Sequence, residues 1–240
     1  MENNITAKQW FDYAKQLYEK DFGVESPLIF NINTNLCTKQ EIEMGIKKLG
    51  VGKVKDLVDL QAEYLKWALK SLAPHTMKNF NNIIQQGFPK DWTTSLVIPL
   101  FKSRDVNNPS NYRTIMINPL FAKFFGSMTE NRISKWLEEI GKRVKGQACF
   151  RPKHSIVDHG ITLRHLIEKG WEEKEEIFCC FVDFRKAFDM VPSIQTLEQN
   201  GRTLESHLIM VVHGLYEEVK VKIGTSDGLS ESFISNIGVK

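Results

Sequence analysis

Cysteine is scarce in this chain, and what there is forms no pattern. Cys37, Cys149, Cys179 and Cys180 make no C-x-x-C pair, so neither a zinc-site spacing nor a disulfide framework is available to staple the fold. Reduced thiols fit a cytosolic or nuclear setting. Long apolar runs are also lacking: none approaches the ~20 residues that a membrane-spanning helix needs. Residues 1–10 are polar and carry no secretory-signal pattern. The expected location is therefore nuclear or cytoplasmic, not secreted, with no membrane partner. Glycine (15) and proline (8) are not in excess among the 240 residues, and there is no repeat or low-complexity tract, which argues against fibrous and globally disordered classes.

What is present is the composition of a globular protein, 42% hydrophobic and 25% charged, long enough for one or two domains with a sizeable core. The net charge of +3 is small, but it is unevenly spread. Residues 102–153 carry eleven Lys/Arg and four Asp/Glu, a local net of +7, which leaves −4 for the remainder. A basic middle between acidic flanks suits a polyanionic partner, and it equally suits a solvated helix face.

The periodicity predicts an α+β pattern with most of its helix at the front. Trp10, Phe11, Ala14, Leu17 and Tyr18 fall on one face of a helix over 6–22, ended by Gly23. Thr38 with Glu41 is a capping-box pair opening a second helix that Gly50 closes. A third is expected over 54–72, stopped by Pro74, and a fourth over 76–86. Residues 95–101 and 114–117 read as a hairpin around a turn-rich loop containing Asn107, Asn108 and Pro109. A long helix should run over 119–140, with Gly141 after it, and Ser155 with Asp158 should start another that reaches about Gly170. The uninterrupted apolar run 177–182, ending in Asp183, reads as a buried strand with a carboxylate at its mouth and with Cys179 and Cys180 on opposite faces. A helix over 204–219 and a hairpin turning at Asp227-Gly228 complete the chain.

Taken alone, Asp183 fits either a metal ligand at a strand end or an N-cap. His154, His159 and His165, spaced five and six apart, do not share one helical face with each other or offer Cys149 a metal partner set. They read as polar helix residues, with His154 near nucleic acid.

The string around Asp183, Phe181-Val182-Asp183-Phe184-Arg185-Lys186-Ala187-Phe188-Asp189, resembles the first catalytic motif of reverse transcriptases from non-LTR (LINE-type) retrotransposons. Four other stretches are similar to the same family, in order and in spacing, from about residue 38 onward. Pro89-Lys90-Asp91-Trp92 with Ile98-Pro99-Leu100-Phe101-Lys102 resembles the entry into the fingers. Asn111-Tyr112-Arg113-Thr114-Ile115 resembles N-Y-R-x-I. Gln147-Ala148-Cys149-Phe150-Arg151 with Ser155 and Asp158 resembles Q-x-G-F…S-x-x-D. Leu215-Tyr216-Glu217 and Gly238-Val239-Lys240 resemble the approach to G-V-x-Q-G. Residues 52–67 resemble the linker between endonuclease and polymerase regions.

The resemblance implies a right-hand polymerase fold, with a helical segment over 1–75, a fingers-like region over 76–175 and a partial palm over 176–240. It implies RNA-directed DNA polymerase chemistry with an RNA template, a DNA primer, deoxynucleoside triphosphates and Mg²⁺ or Mn²⁺. Asp183 would be the catalytic carboxylate and metal ligand. Lys102 and Arg113 would contact the triphosphate, as a point charge and a fork of donors. Phe188 would crowd a ribose 2′-hydroxyl, or be an ordinary core residue. Arg151, Lys153 and His154 would lie near nucleic acid, and Asp189 would cap or orient the following helix. Cys149 replaces the family's glycine, where a side chain would hinder close approach of the backbone. Residues 193–206 lack the family's Leu-Trp pair. The Gln-Gly and the paired aspartates that the family carries further on are not among the 240 residues. The expectation is thus an inactive, truncated polymerase domain, with a non-catalytic nucleic-acid-binding fragment and a remnant without function as alternatives.

Overall fold

The computed structural model describes residues 5–18, 35–141, 143–144, 146–184, 186–191, 207–226 and 228–238. These form seven α-helices and one five-stranded sheet, the α+β mixture expected. The helices are α1 (Ala7–Tyr18), α2 (Lys39–Lys48), α3 (Ala62–Trp67), α4 (Leu69–Gln86), α5 (Leu120–Glu139), α6 (Ile156–Glu173) and α7 (His207–Tyr216). The strands are β1 (Thr94–Phe101), β2 (Tyr112–Ile117), β3 (Lys220–Thr225), β4 (Gly228–Leu229) and β5 (Phe233–Ile234). Among the described residues, no helix is long and apolar enough to cross a membrane. The chain divides into two units, one of Met1–Glu130 with Lys186–Lys240 and one of Asn131–Arg185.

In the first unit the sheet runs β2-β1-β3-β4, with β5 also on β3. β1 pairs antiparallel with β2 (Leu100 opposite Arg113) and parallel with β3 (Thr94 beside Lys220, Val97 beside Ile223). The β3 ladder stops at Val97, two residues before Pro99. Proline has no N–H to give a ladder, so it falls where β1 has one neighbour. Alternation along β1 buries Ser95 and Val97, and these lie on the same face as Val221, Ile223, Tyr112 and Phe233. α1 covers that face: Trp10 and Ala14 are buried in the cluster, and the Trp10 ring stands edge-on to Tyr112 at 4.7 Å between centroids.

A second cluster joins α2, α3, α4 and the start of α5. Phe80 sits at its centre, 5.0 Å from Phe124 and 5.1 Å from Phe125 between centroids. A Cβ at Gly45 would come 2.3 Å from the Phe124 ring, so glycine there permits the approach of α2 to α5. The start of α5 is held by a residue from the 52–67 stretch. The buried Asp56 accepts from Val58 N (3.0 Å) and Leu60 N (2.9 Å) through Oδ1, and from Leu120 N (2.8 Å) through Oδ2. One carboxylate thus orders its own turn and satisfies an orphan donor at a helix N-terminus.

Most expected elements are present, with shifted ends. Thr38 accepts from Glu41 N at 3.2 Å as the N-cap of α2. Two expectations need correction. The third helix is not one piece over 54–72: residues 55–61 are irregular around Asp56, and α4 continues through Pro74 to Gln86. The interruption lies at Ala68, where ψ is 15°, upstream of the proline whose ring crowds the preceding turn. The expected strand over 177–182 is absent, as described below. Gly23, the 192–206 stretch, Asp227 and Val239-Lys240 lie outside the described residues.

In the second unit, α6 begins at a capping box in which Ser155 Oγ accepts from Val157 N (3.1 Å) and Asp158 Oδ2 accepts from Ser155 N (3.0 Å).

Replacing Asp56 with alanine strands buried donors at a cost of ~1–3 kcal/mol each, softened where water can reach the turn. The expected destabilisation is about 3 kcal/mol. Asp56→Asn, which keeps Oδ1 but sets an amide against Leu120 N, should cost about half as much. Denaturant midpoints at unchanged m check both values; equal stability of all three chains would refute the role given to Asp56.

Candidate nucleotide and nucleic-acid contact sites

The β1–β2 hairpin carries Lys102 and Arg113. Its loop is held by its own polar side chains. Asp105 Oδ1 accepts from Asn107 N (2.9 Å), and Asn108 Oδ1 accepts from Ser110 N (2.9 Å) and Ser110 Oγ (2.7 Å). Asn111 Nδ2 donates to Asp105 O (3.0 Å), and the Tyr112 hydroxyl donates to Val106 O (2.8 Å). The ladder extends one step past β1, with Lys102 N donating to Asn111 O at 3.0 Å. Since Leu100 faces Arg113 and side chains alternate, Lys102 and Arg113 lie diagonally on one face. Both are exposed, and among the described residues no ion pair engages either. It is the face opposite α1. The N-Y-R-x-I stretch therefore has two uses: Tyr112 anchors the sheet to α1, and Arg113 is presented to solvent.

Phe188 and Asp189 lie in a short 3₁₀ turn, Ala187–Met190. Asp189 Oδ1 accepts from Thr114 Oγ1 at 3.0 Å, and Lys186 lies over the Tyr13 ring, 4.5 Å from its centroid, with its ammonium hydrogen-bonded to the Tyr13 hydroxyl. Burial lowers the Lys186 ammonium pKa below its ordinary value, and the nearby Asp189 charge opposes that shift. Thr114 alternates with Arg113, so this turn packs on the α1 side of the sheet. The structure does not bring Phe188 together with Lys102 and Arg113. Nor is Phe188 a core residue; it is 61% exposed. Asp189 orients its own turn through Thr114; a helix directly after this turn would fall in 192–206, outside the described residues. Nothing local in the sequence signals that bond, because its partners are 75 residues apart.

Asp183 belongs to the second unit. Residues 177–184 form no strand, and Phe178, Phe181, Val182 and Phe184 are between 76% and 90% exposed. Cys179 and Cys180 are both exposed rather than divided between two faces. The apolar run has the pattern of a buried strand, but a strand exists only through a ladder, and no described strand pairs with this one. Asp183 thus stands as one exposed carboxylate. Among the described residues, no group of three or more His, Cys, Asp or Glu converges as metal ligands would.

Arg151 is committed within its own unit. Its Nε and Nη2 donate to Glu138 Oε1 (2.9 Å) and Oε2 (3.0 Å), a two-pronged pairing. Arg143 stands 3.4 Å from the same carboxylate and donates to Phe150 O (2.8 Å) and Ser134 Oγ (2.7 Å). The Arg151 bond, then the charges of Arg151, Arg143 and His154, hold the Glu138 carboxyl below its ordinary pKa against a partial burial penalty. Lys153 and His154 are exposed, and His154 Nδ1 lies 3.0 Å from Pro152 O. In this turn the left-handed backbone belongs to Phe150 (φ 57°), not to Cys149, so the conformation at position 149 does not demand glycine.

The chain is 27% identical over 197 residues, 79% of its length, to a "putative 115 kDa protein in type-1 retrotransposable element R1DM" of Drosophila melanogaster. It is 30% identical over 114 residues, 47% of its length, to a "probable RNA-directed DNA polymerase from transposon X-element" of the same organism. It is 24% identical over 215 residues, 88% of its length, to the "RNA-directed DNA polymerase from mobile element jockey" of Drosophila funebris. The chain spans 19%, 13% and 23% of these curated relatives. No family model matches it. The similarities bear out the resemblance to LINE-type reverse transcriptases that the motifs carry.

The Glu138 pairing yields a pH prediction. A carboxyl whose folded pKa is depressed stabilises fully above its unfolded value and loses that contribution as pH falls through the folded one. Protection of the Gln147 and His154 amides, whose N–H groups donate to Val144 O and Arg151 O, taken relative to their intrinsic exchange rates, should therefore be higher at neutral pH and fall below the ordinary carboxylate range. In Glu138→Gln it should be low throughout, and identical profiles for the two chains would refute the assignment.

Proposed function

We propose that this chain is the nucleotide- and template-receiving part of an RNA-directed DNA polymerase from a LINE-type retrotransposon. The observation that carries the proposal is the placement of Lys102 and Arg113 on one exposed face of a hairpin whose loop is locked by its own hydrogen bonds. A triphosphate presents several oxygens in a small volume. Arg113 would grip two of them through its planar fork, and Lys102 would add a compact charge beside them. Because the loop is already ordered, little conformational entropy is lost on binding. Each charge-assisted hydrogen bond contributes ~1.5–3 kcal/mol.

By the resemblance of its motifs, 76–175 is a fingers-like region and 176–240 a partial palm, with an RNA template and DNA primer as partners, and this division is part of the proposal. Mg²⁺ or Mn²⁺ would supply charge neutralisation and alignment in the complete domain. The residues described here do not fit a two-ion site. Asp183 is a single exposed carboxylate without converging partners, and one carboxylate binds Mg²⁺ weakly because that ion gives up its waters reluctantly. Asp183 is therefore proposed as one ligand of a site that these residues do not complete. That same feature favours a second reading, in which the chain binds nucleotide and nucleic acid without synthesis.

The test is deoxynucleoside triphosphate binding to the whole chain, followed by NMR. Lys102→Gln and Arg113→Gln should each weaken binding by roughly 10- to 100-fold, the loss of one such bond. Unchanged affinity in both variants, or a folded parent chain that binds no triphosphate, would sink the proposal. In primer extension on an RNA template with Mg²⁺ or Mn²⁺, no product is expected; extension abolished by Asp183→Asn would show that the remaining ligands come from within these residues.

A further inference from the structure

The four cysteines have unequal surroundings. Cys37 is buried in the first unit, and its backbone N–H donates to Asn81 Oδ1. The other three are exposed and belong to the second unit. Cys149 stands alone, thirty residues ahead of Cys179, whereas Cys179 and Cys180 are adjacent. The segment that carries this pair is fastened at its start. Glu175 N donates to Gly170 O at 2.9 Å, and Ile177 lies so close to Gly170 that a Cβ there would come 2.5 Å from its Cδ1. Beyond that point, among the described residues, the backbone of 178–184 makes no hydrogen bond. The flanking Phe178 and Phe181 are exposed as well, so a small reagent has open access to both thiols.

Within a strand, neighbouring side chains point to opposite faces, and the two sulfurs would be held apart. Here no ladder keeps the backbone extended, and the two thiols are free to turn to one side. Consecutive Cα atoms lie ~3.8 Å apart across a trans peptide, against ~4.4 Å at the short end of ordinary disulfides. A bond between these sulfurs is therefore strained, and strain makes a disulfide easier to reduce. Strained, exposed disulfides belong to the labile class that forms and reopens, not to the class that staples a fold.

We propose that Cys179 and Cys180 are a reversible modification site for hydroperoxides, which close the pair into a disulfide ring across one peptide bond. One thiolate attacks the peroxide O–O bond, forming a sulfenic acid and releasing water or an alcohol. The neighbouring thiol then attacks that sulfur, and the hydroxyl leaves as water with the thiol's proton. The pair gives up two electrons and two protons, and the peroxide is reduced. A sulfenic acid at Cys149 has no thiol beside it in the chain, and burial shields Cys37. The ring and a strand exclude each other, because the sulfur–sulfur bond needs both side chains on one side. Oxidation thus keeps the residues leading to Asp183 out of a ladder. That consequence for Asp183, unlike the ring itself, rests on the polymerase reading above.

The experiment treats the whole folded chain with hydrogen peroxide and follows intact mass and peptide maps. The peptide holding Cys179 and Cys180 should lose two hydrogens, at a rate independent of protein concentration, and a dithiol reductant should restore them. Cys149 should carry a sulfenic acid that dimedone captures, and Cys37 should stay a thiol. In Cys179→Ser and in Cys180→Ser no ring can close, so dimedone capture at the remaining thiol should rise several-fold over the parent. The map of the unaltered chain keeps the test independent of any variant's folding. A parent peptide that keeps both hydrogens, a disulfide to Cys149, covalent dimers, or equal dimedone capture in parent and variants would each overturn the site. None of these outcomes touches triphosphate binding by Lys102 and Arg113, where the polymerase reading itself is tested. NMR of the ring-closed chain should show both positions off extended backbone shifts; extended shifts at both would overturn the exclusion between ring and strand.

Discussion

The parallel pairing of β1 with β3 is the constraint on which the first unit depends. It makes the hairpin of β1 and β2 part of a five-stranded sheet, where a two-stranded ribbon by itself would be marginal in water. It also builds the floor for α1, since Val97, Val221 and Ile223 become one apolar surface only when these strands are adjacent. Thr93 adds a tie at the same seam through its hydroxyl, which donates to Glu218 O at 3.3 Å. With one side of the sheet filled by Trp10 and Ala14, the alternating residues have no choice but the other side. The exposure of Arg113 is thus a consequence of the burial of Tyr112.

Local signals in the sequence were good guides where structure is local. The Thr38 cap, the Ser155 and Asp158 box, the hairpin of 94–117 and the long helix before Gly141 all follow from neighbours within a few residues. The failures have physical causes. An apolar run such as 177–182 announces that it wants burial without naming what will bury it, and no strand among the described residues does. Pro74 suggested a helix end, yet the interruption fell at Ala68. Asp56 looked like one more acidic residue in a polar stretch; its partner at Leu120 is 64 residues away.

The site residues show why charge counting is a blunt instrument. Residues 102–153 look uniformly basic when summed, but their cations have different fates. Arg143 and Arg151 are largely enclosed, their side chains 11% and 15% exposed, and they face Glu138. Lys102 and Arg113 face water. A guanidinium engaged on a carboxylate has little left for a phosphate unless that pairing opens, so the usable field of the molecule is narrower than its net charge of +3 and its local excess suggest. Conversely, Lys220 and Lys222 stand in a stretch that no charge sum singles out, and only the strand register puts them beside the hairpin.

The β1–β3 ladder joins Thr94 to Lys220, 126 residues further along the chain. Contacts of such long sequence separation are slow to form, because a large loop must close before any ladder bond rewards it. On the ribosome, at ~5–20 residues per second, β1 would wait roughly 6 to 25 seconds after its own synthesis for β3 to emerge. Through that interval the hairpin can already form, with the edge that β3 will occupy, Ser95 and Val97 included, open to pairing with any other extended segment. The sheet that organises the mature unit is for that time its most exposed route to aggregation.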